Sequence, residues 1–278
     1  MKRSELIDSY SKLLHIKNYS PRTEKSYLHH LNLFLDYIRS SKVNQVTETV
    51  IRNYLNYCKE TKIFSYSSMK QSLATIRFLF TQVLKKEIDF DFFLKMKKPQ
   101  SLPNVLSQQE IKRIIKSISN LKHTAIISTI YACGLRLSEV VSLKLTDIDS
   151  DTMMIKVADS KGRKDRYVML SANLLELLRG YFKEYKPIKY LFEGQSGGKY
   201  SPRSIQEIFR DSLNKAGIKK KATVHTLRHS FASHLLDNGT DIRFIQELLG
   251  HKHLSTTQIY THINPPSLRK IKSPFDFF

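Results

Sequence analysis

One stretch near the end of the chain constrains the fold more than any other. Residues 225–262 read HTLRHSFASHLLDNGTDIRFIQELLGHKHLSTTQIYTH. Helical spacing over 226–237 predicts an amphipathic helix laid on a core. A second helix is predicted over 241–249, and Gly239 and Gly250 stand where the two helices should end. The stripe that faces the core in the first helix consists of Leu227, Phe231, His234 and Leu235.

The same stretch carries side chains suited to phosphate chemistry. His225 and Arg228 are three residues apart, so they share a helix face. His251 follows in a Leu-Gly-His turn, and Tyr260 comes nine residues later, where Ser255 is the predicted N-cap of a last short helix that carries it. A guanidinium binds phosphate oxygens in a bidentate manner, an imidazole moves protons near neutral pH, and a phenol can act as a covalent nucleophile. These residue types together indicate a phosphodiester substrate.

The order His225-x-x-Arg228, Leu249-Gly250-His251 and Tyr260 resembles the tyrosine recombinase (phage integrase) family, in particular its Xer-like and integron-integrase-like members. The resemblance implies site-specific DNA recombination, in which Tyr260 attacks a phosphodiester and forms a 3′-phosphotyrosyl link. In this interpretation His225 is the candidate general base, and Arg228 and His251 hold the non-bridging oxygens. Integration, excision and resolution all remain open.

A second motif lies upstream, in the segment GLRLSE over 134–139. Arg136 and Glu139 lie one helical turn apart, so the carboxylate can brace the guanidinium. Alone, an Arg-x-x-Glu pair is more often a surface salt bridge. The resemblance makes Arg136 the first catalytic arginine of the site.

Two apolar, β-branched segments, 152–158 and 166–170, predict a β-hairpin around the turn DSKGRKD. The resemblance places the catalytic lysine in this hairpin, at Lys161, where it would protonate the leaving 5′ oxygen. Lys164 competes for that role, and a lysine at a basic hairpin tip is ordinarily only a phosphate contact.

Two domains are expected. Four helices are predicted over 4–18, 21–39, 47–60 and 67–86, and the resemblance assigns residues 1–96 to a SAM-like core-binding domain. A basic linker with little periodicity follows over 97–106, and Ser107 opens a capping box with Glu110 at the start of a catalytic domain over 107–278. Helices from Ser171 and Ser201 and a short strand over 190–192 complete that domain. The fold class is therefore mainly α with a small antiparallel sheet (α+β).

The charge of the chain favours a polyanionic partner. The formal net charge is +21, and both parts contribute: residues 1–98 hold 18 Lys+Arg against 9 Asp+Glu, and residues 99–278 hold 28 against 16. Double-stranded DNA is the expected partner, and the lysine excess of a merely solvated surface is the alternative. Two cysteines in no metal spacing, no signal peptide and no apolar run of membrane-spanning length predict a soluble, cytoplasmic protein.

No cofactor and no metal are expected. The histidines form neither a His-Glu-x-x-His motif nor a Cys/His zinc set, no phosphate-binding loop of the GxxxxGK[ST] type occurs, and His229 and His234 are interpreted as hydrogen-bonded structural residues.

Two alternatives share the scaffold: a type IB topoisomerase-like enzyme and a non-catalytic DNA-binding protein. A metal-dependent nuclease would need clustered carboxylates, which the sequence lacks. The end of the chain, SLRKIKSPFDFF over 267–278, is basic, then broken by proline and then aromatic. The resemblance implies that the tail over 264–278 docks on a neighbouring subunit of a homotetramer on DNA, and packing on its own domain is the alternative.

Overall fold

The computed structural model describes residues 2–90, 104–158 and 165–261. The chain divides into two compact units, Met1–Gln100 and Ser101–Phe278. This division falls inside the predicted linker 97–106, of which residues 97–103 lie outside the described part. Both units are built mainly of helices, and one small antiparallel sheet occurs among the described residues, which confirms the predicted fold class.

The first unit is helical and has its own apolar core. Ser20 caps the second helix as predicted, because its hydroxyl accepts a hydrogen bond from the backbone N–H of Thr23 and Pro21 occupies the first turn. The predicted helix over 67–86 is regular only to Phe78 and continues as a π-helical turn, Leu79–Val83. The helices are α1 (Arg3–Ile16), α2 (Pro21–Ile38), α3 (Glu48–Glu60) and α4 (Tyr66–Phe78), with a 3₁₀ segment at Ser40–Gln45.

The second unit begins at a capping box. The Ser107 hydroxyl accepts from the N–H of Glu110 at 3.2 Å, and the Glu110 carboxylate accepts from the N–H of Ser107 at 2.7 Å, as the sequence predicts. The longer helices are α5 (Gln108–Lys116), α6 (Leu121–Ala132), α8 (Ala172–Tyr185), α9 (Pro202–Lys215), α10 (Val224–Asp237) and α11 (Ile242–Leu249); α7 (Leu137–Val140) and α12 (Ser255–Gln258) are single turns.

The sheet has three antiparallel strands in the order β1 (Ile148–Asp149), β2 (Met154–Val157) and β3 (Arg166–Met169). The two strands of the predicted hairpin are confirmed, with Ile155 opposite Val168, and its turn over 159–164 lies outside the described residues. The predicted strand over 190–192 is wrong, because only an isolated bridge joins Tyr190 to Lys144. Strand β1 was not predicted, since two residues are too few to show alternation.

The C-terminal helices position the candidate site. Helices α10 and α11 occur as predicted, and Gly250 ends α11 in the left-handed region at φ 61°. Ser255 is the first residue of α12 rather than its N-cap, and no side chain caps this helix. Because α12 ends at Gln258, Tyr260 lies just beyond this helix and not within it. It packs in a small apolar cluster with residues of α10 and α11. No helix of the described ranges is long and apolar enough to cross a membrane.

Candidate active site

Arg228 is the buried centre of the site. Its side chain is 1% exposed, and its guanidinium donates to the carbonyl of Gly134 at 2.7 Å and to the carbonyl of Leu249. Burial is the main reason that the pKa of Arg228 falls to about 9, so the group stays charged at neutral pH. Arg228 thus ties α10 to the turn before Arg136 and to the end of α11.

Gly134 allows this close approach. Its φ is +60°, and a Cβ at this position would lie 2.4 Å from Cδ1 of Phe231. The left-handed backbone and the missing side chain are both required for the 134–136 turn to lie against α10.

Glu139 is a carboxylate shared by three guanidinium groups. Oε1 accepts from Nη1 of Arg136 at 2.7 Å and from Nη1 of Arg166 at 2.9 Å. Oε2 accepts from the backbone N–H of Arg136 at 2.7 Å and from Nη2 of Arg166 at 2.8 Å, and it lies 3.8 Å from Nη1 of Arg228. Burial alone would raise the pKa of Glu139, but these hydrogen bonds and positive charges lower it to about 2. The predicted bracing of Arg136 by Glu139 is confirmed.

Arg136 remains accessible, unlike Arg228. Its side chain is 33% exposed and makes a long 3.5 Å contact with the carbonyl of Gly250. A guanidinium has five N–H donors, and this one retains donors that can meet an anion from solvent. The buried Arg228 and the accessible Arg136 together make the site positively charged.

Two of the predicted histidines lie in the field of these arginines. His251 is held by a 2.9 Å hydrogen bond between its Nδ1 and the Thr257 hydroxyl, and Gln246 donates to its carbonyl at 3.0 Å. Burial, followed by the charges of Arg228 and Arg136, lowers the pKa of His251 to about 4. The residue His225 reaches the surface, yet desolvation of its ring and the same two charges lower its pKa as well. His251 is therefore neutral at pH 7, and the lowered pKa of His225 favours its neutral form.

Tyr260 is 2% exposed, and its hydroxyl lies 2.9 Å from Nδ1 of His229. Burial raises the pKa of the phenol, while the charges of Arg228 and Arg136 oppose that rise. Burial and the neighbouring His225 lower the pKa of His229 to about 4. A neutral His229 protonated on Nε2 accepts a hydrogen bond from the phenol.

Five of the six predicted site residues therefore share one electrostatic neighbourhood: Arg136, His225, Arg228, His251 and Tyr260. Lys161 and its competitor Lys164 lie outside the described residues. His234 bonds the Tyr131 hydroxyl at 2.9 Å, in keeping with its predicted structural role. In the part of the chain that the structure describes, no group of three or more His, Cys, Asp or Glu side chains could hold a metal ion.

The sequence-based prediction of the site left out two residues, His229 and Arg166. His229 was interpreted as structural, but it contacts the Tyr260 hydroxyl; its spacing of four from His225, on the same helix face, was a usable signal. Arg166 was treated only as the first residue of a strand, and no local pattern links it to Glu139, 27 residues earlier.

Comparisons with known proteins match both units of the chain to family models. The model of the Phage integrase family matches residues 104–266, and that of the phage integrase N-terminal SAM-like domain matches residues 6–90. The y4qK protein of Sinorhizobium fredii is 39% identical over 272 residues, which cover 95% of this chain and 86% of that protein. Tyrosine recombinase XerC of Halalkalibacterium halodurans is 32% identical over 278 residues, covering 92% of this chain and 91% of that protein.

A solved structure shares the fold. The XerH site-specific recombinase bound to a palindromic difH substrate superposes with a TM-score of 0.78, at 24% identity, over 94% of this chain and 82% of that one. The family model spans more than half of the chain and includes every residue of the site described above. The chain belongs to the phage integrase family, as a Xer-like tyrosine recombinase.

Proposed function

We propose that this chain is a site-specific recombinase that cleaves and rejoins double-stranded DNA through a 3′-phosphotyrosyl intermediate on Tyr260. The observation that carries the proposal is that Glu139 joins Arg136 to Arg228, and that the charges of both arginines act on His251 and on the Tyr260 phenol. Cleavage needs an activated phenol, positive charge for the phosphorane-like transition state and a proton for the leaving oxygen. The proposed residues supply each requirement.

The arginines provide the charge. Arg136 has accessible donors for a non-bridging oxygen, and Arg228 is fixed by two backbone carbonyls. Because both guanidinium groups are held before DNA arrives, little reorganisation is needed when negative charge develops. His251, fixed by Thr257, is placed to donate a further hydrogen bond in this role.

We propose that the phenolic proton moves towards His225. Our sequence-based proposal makes His225 the general base, and the Tyr260 hydroxyl contacts His229, whose ring centroid lies 4.5 Å from that of His225. In the proposed step the Tyr260 oxygen attacks phosphorus, its proton passes to this imidazole pair, and the bond from phosphorus to the 5′ oxygen breaks. Lys161 gives a proton to that oxygen. The new ester keeps the bond energy, so a 5′ hydroxyl of another strand can reverse the step without ATP.

Double-stranded DNA is the proposed partner. The net charge of +21 is spread over both parts of the chain, and the similar XerH structure contains its difH substrate. We also propose a homotetramer on DNA, in which the tail over 264–278 docks on the next subunit. That tail lies outside the described residues. Its deletion should leave binding to a single site intact and weaken cooperative binding to paired sites; unchanged assembly would assign the tail to its own subunit.

The test uses nicked duplexes made from DNA that flanks the gene. The protein should form an adduct that survives denaturation, with the DNA joined by its 3′ phosphate, and sequencing of rejoined products should reveal the crossover. Tyr260→Phe should bind the same DNA with unchanged affinity and form no adduct. Adducts with the Phe variant would contradict the assignment of Tyr260. Relaxation of supercoiled DNA without exchanged joints would favour the topoisomerase alternative, and DNA binding without any adduct would favour the non-catalytic one.

A further inference from the structure

Arg166, at the start of β3, uses all three of its guanidinium nitrogens inside the candidate site. Nη1 and Nη2 donate to the two oxygens of Glu139 at 2.9 and 2.8 Å, and Nε donates to the carbonyl of Leu248 at 2.8 Å. The side chain is only 10% exposed. All three nitrogens of this guanidinium already donate to protein acceptors, which leaves Arg166 less able than Arg136 to bind a DNA phosphate itself.

The contact with Leu248 fixes the end of α11. The last carbonyls of a helix lack partners within the helix, and a cation placed there also complements the helix dipole. Gly250 is the first residue after α11, and it packs on the same Arg166 side chain. A Cβ added at Gly250 would lie only 3.1 Å from Cδ of Arg166. His251 comes next in the chain. Arg166 therefore supports the turn that sets the position of His251.

The contact with Glu139 fixes the arginines. Glu139 meets Arg166 through two parallel hydrogen bonds, an arrangement that restricts the plane of the carboxylate as well as its position. The same two oxygens face Arg136 and Arg228. If Arg166 were removed, the carboxylate could rotate towards either neighbour, and the separation of the two phosphate-binding guanidinium groups would no longer be fixed.

We propose that Arg166 is a positioning residue for strand cleavage, which holds Glu139 and the 248–251 turn so that Arg136, Arg228 and His251 converge on one phosphate. This inference rests on the proposed function. It assigns Arg166 no contact with DNA; its effect passes through the groups that it holds. Arg166→Gln should therefore slow the chemical step and leave DNA affinity nearly unchanged.

The kinetic test measures single-turnover adduct formation at saturating DNA together with the Kd for DNA. A misplacement of catalytic groups by about 1 Å can cost about 100-fold, so Arg166→Gln should lose about 10- to 100-fold in rate with a Kd within about twofold. Arg166→Lys keeps the charge but not the fork and should recover part of the rate. Arg179→Gln, on the exposed face of α8, is the matched control and should behave as wild type. An unchanged rate for Arg166→Gln, or a loss confined to Kd, would overturn the inference.

A double-mutant cycle separates positioning from general loss of structure. If Arg166 acts through Glu139, combining Arg166→Gln with Glu139→Gln should cost little more than the slower single variant, because both changes break one unit. Multiplying losses would contradict this coupling. All rates are compared well below the Tm of each variant, and the Lys variant serves if the Gln variant does not fold.

A measurement without DNA keeps the inference testable if wild type forms no adduct, an outcome that would overturn only the proposed function. In ¹³C-histidine-labelled protein, the His251 resonance, assigned with His251→Asn, should titrate at higher pH in Arg166→Gln than in wild type or Arg166→Lys. The removed charge and the loosened 248–251 turn both favour the imidazolium form. An identical titration in all three proteins would show that Arg166 does not set the environment of His251.

Discussion

The hydroxyl of Tyr260 and Nδ1 of His229 form a 2.9 Å hydrogen bond inside the protein, at a tyrosine that is only 2% exposed. The predicted nucleophile thus has an imidazole partner before any DNA is bound. Since the phenol is buried, its hydroxyl must become accessible for the proposed reaction. The same bond offers the proton a first acceptor that the sequence motif does not identify.

The roles of His229 and His225 can be separated by pH. If the proton leaves through His229, His229→Ala should slow adduct formation about 100-fold or more at pH 7. The deficit should shrink towards pH 9, because hydroxide increasingly removes the proton instead. His225→Ala is measured in parallel. A deficit that is constant with pH for His229→Ala, and shrinks only for His225→Ala, would leave His225 as the first acceptor.

Lys161 is expected to protonate the leaving oxygen. Lys161→Ala should lose cleavage of ordinary DNA and recover most of it on a substrate with sulfur at the 5′ bridging position, because a thiolate leaves without a proton. Lys164→Ala is the matched control and should cleave both substrates normally. Equal losses on both substrates would show that Lys161 only contacts phosphate. If instead Lys164→Ala loses cleavage of ordinary DNA and recovers it on the sulfur substrate, Lys164 protonates the leaving oxygen.

Gly134→Ala should destabilise the second unit. The left-handed conformation costs a residue with a Cβ about 1–2 kcal/mol, and the new Cβ would also displace the Phe231 ring. Gly217→Ala is a close control, because Gly217 has a similar φ of +65° and nothing within 4 Å of a built Cβ. The excess loss of unfolding free energy in Gly134→Ala over Gly217→Ala measures the clash. Equal losses would mean that Phe231 moves aside at no cost.

Stability should fall between pH 7 and pH 5. His229 and His251 have pKa values near 4 in the folded protein, whereas an unfolded histidine titrates near 6.5. The unfolded chain therefore binds more protons in this window, and unfolding becomes easier as the pH drops, by about 1–2 kcal/mol per histidine. Urea unfolding at the two pH values measures the change. The double variant His229→Asn, His251→Asn should show a clearly smaller drop; an equal drop would assign the effect to other groups.

The sequence by itself determined most of the local structure. The capping box at Ser107, the proline after Ser20 and the glycine after α11 are short-range signals, and each appears where it was predicted. Helical and alternating apolar patterns located α10, α11 and the two strands of the hairpin, because burial of one face fixes the period of a pattern. The predictions that failed concern very short elements, the strand over 190–192 and the N-cap at Ser255, where few residues carry the pattern.

Only the tertiary structure decided how the site is held together. The motif put His225, Arg228, His251 and Tyr260 in order along the chain, and helical spacing puts His225 and His229 on one face without deciding which of them meets the phenol. The packing of the segment after α12 against α10 selected His229. Glu139, Leu248 and Arg166 are far apart in sequence and meet in space. A buried carboxylate needs hydrogen-bonding partners, and the fold supplies them from positions distant in sequence. Such partners produce no periodic pattern that the sequence could show.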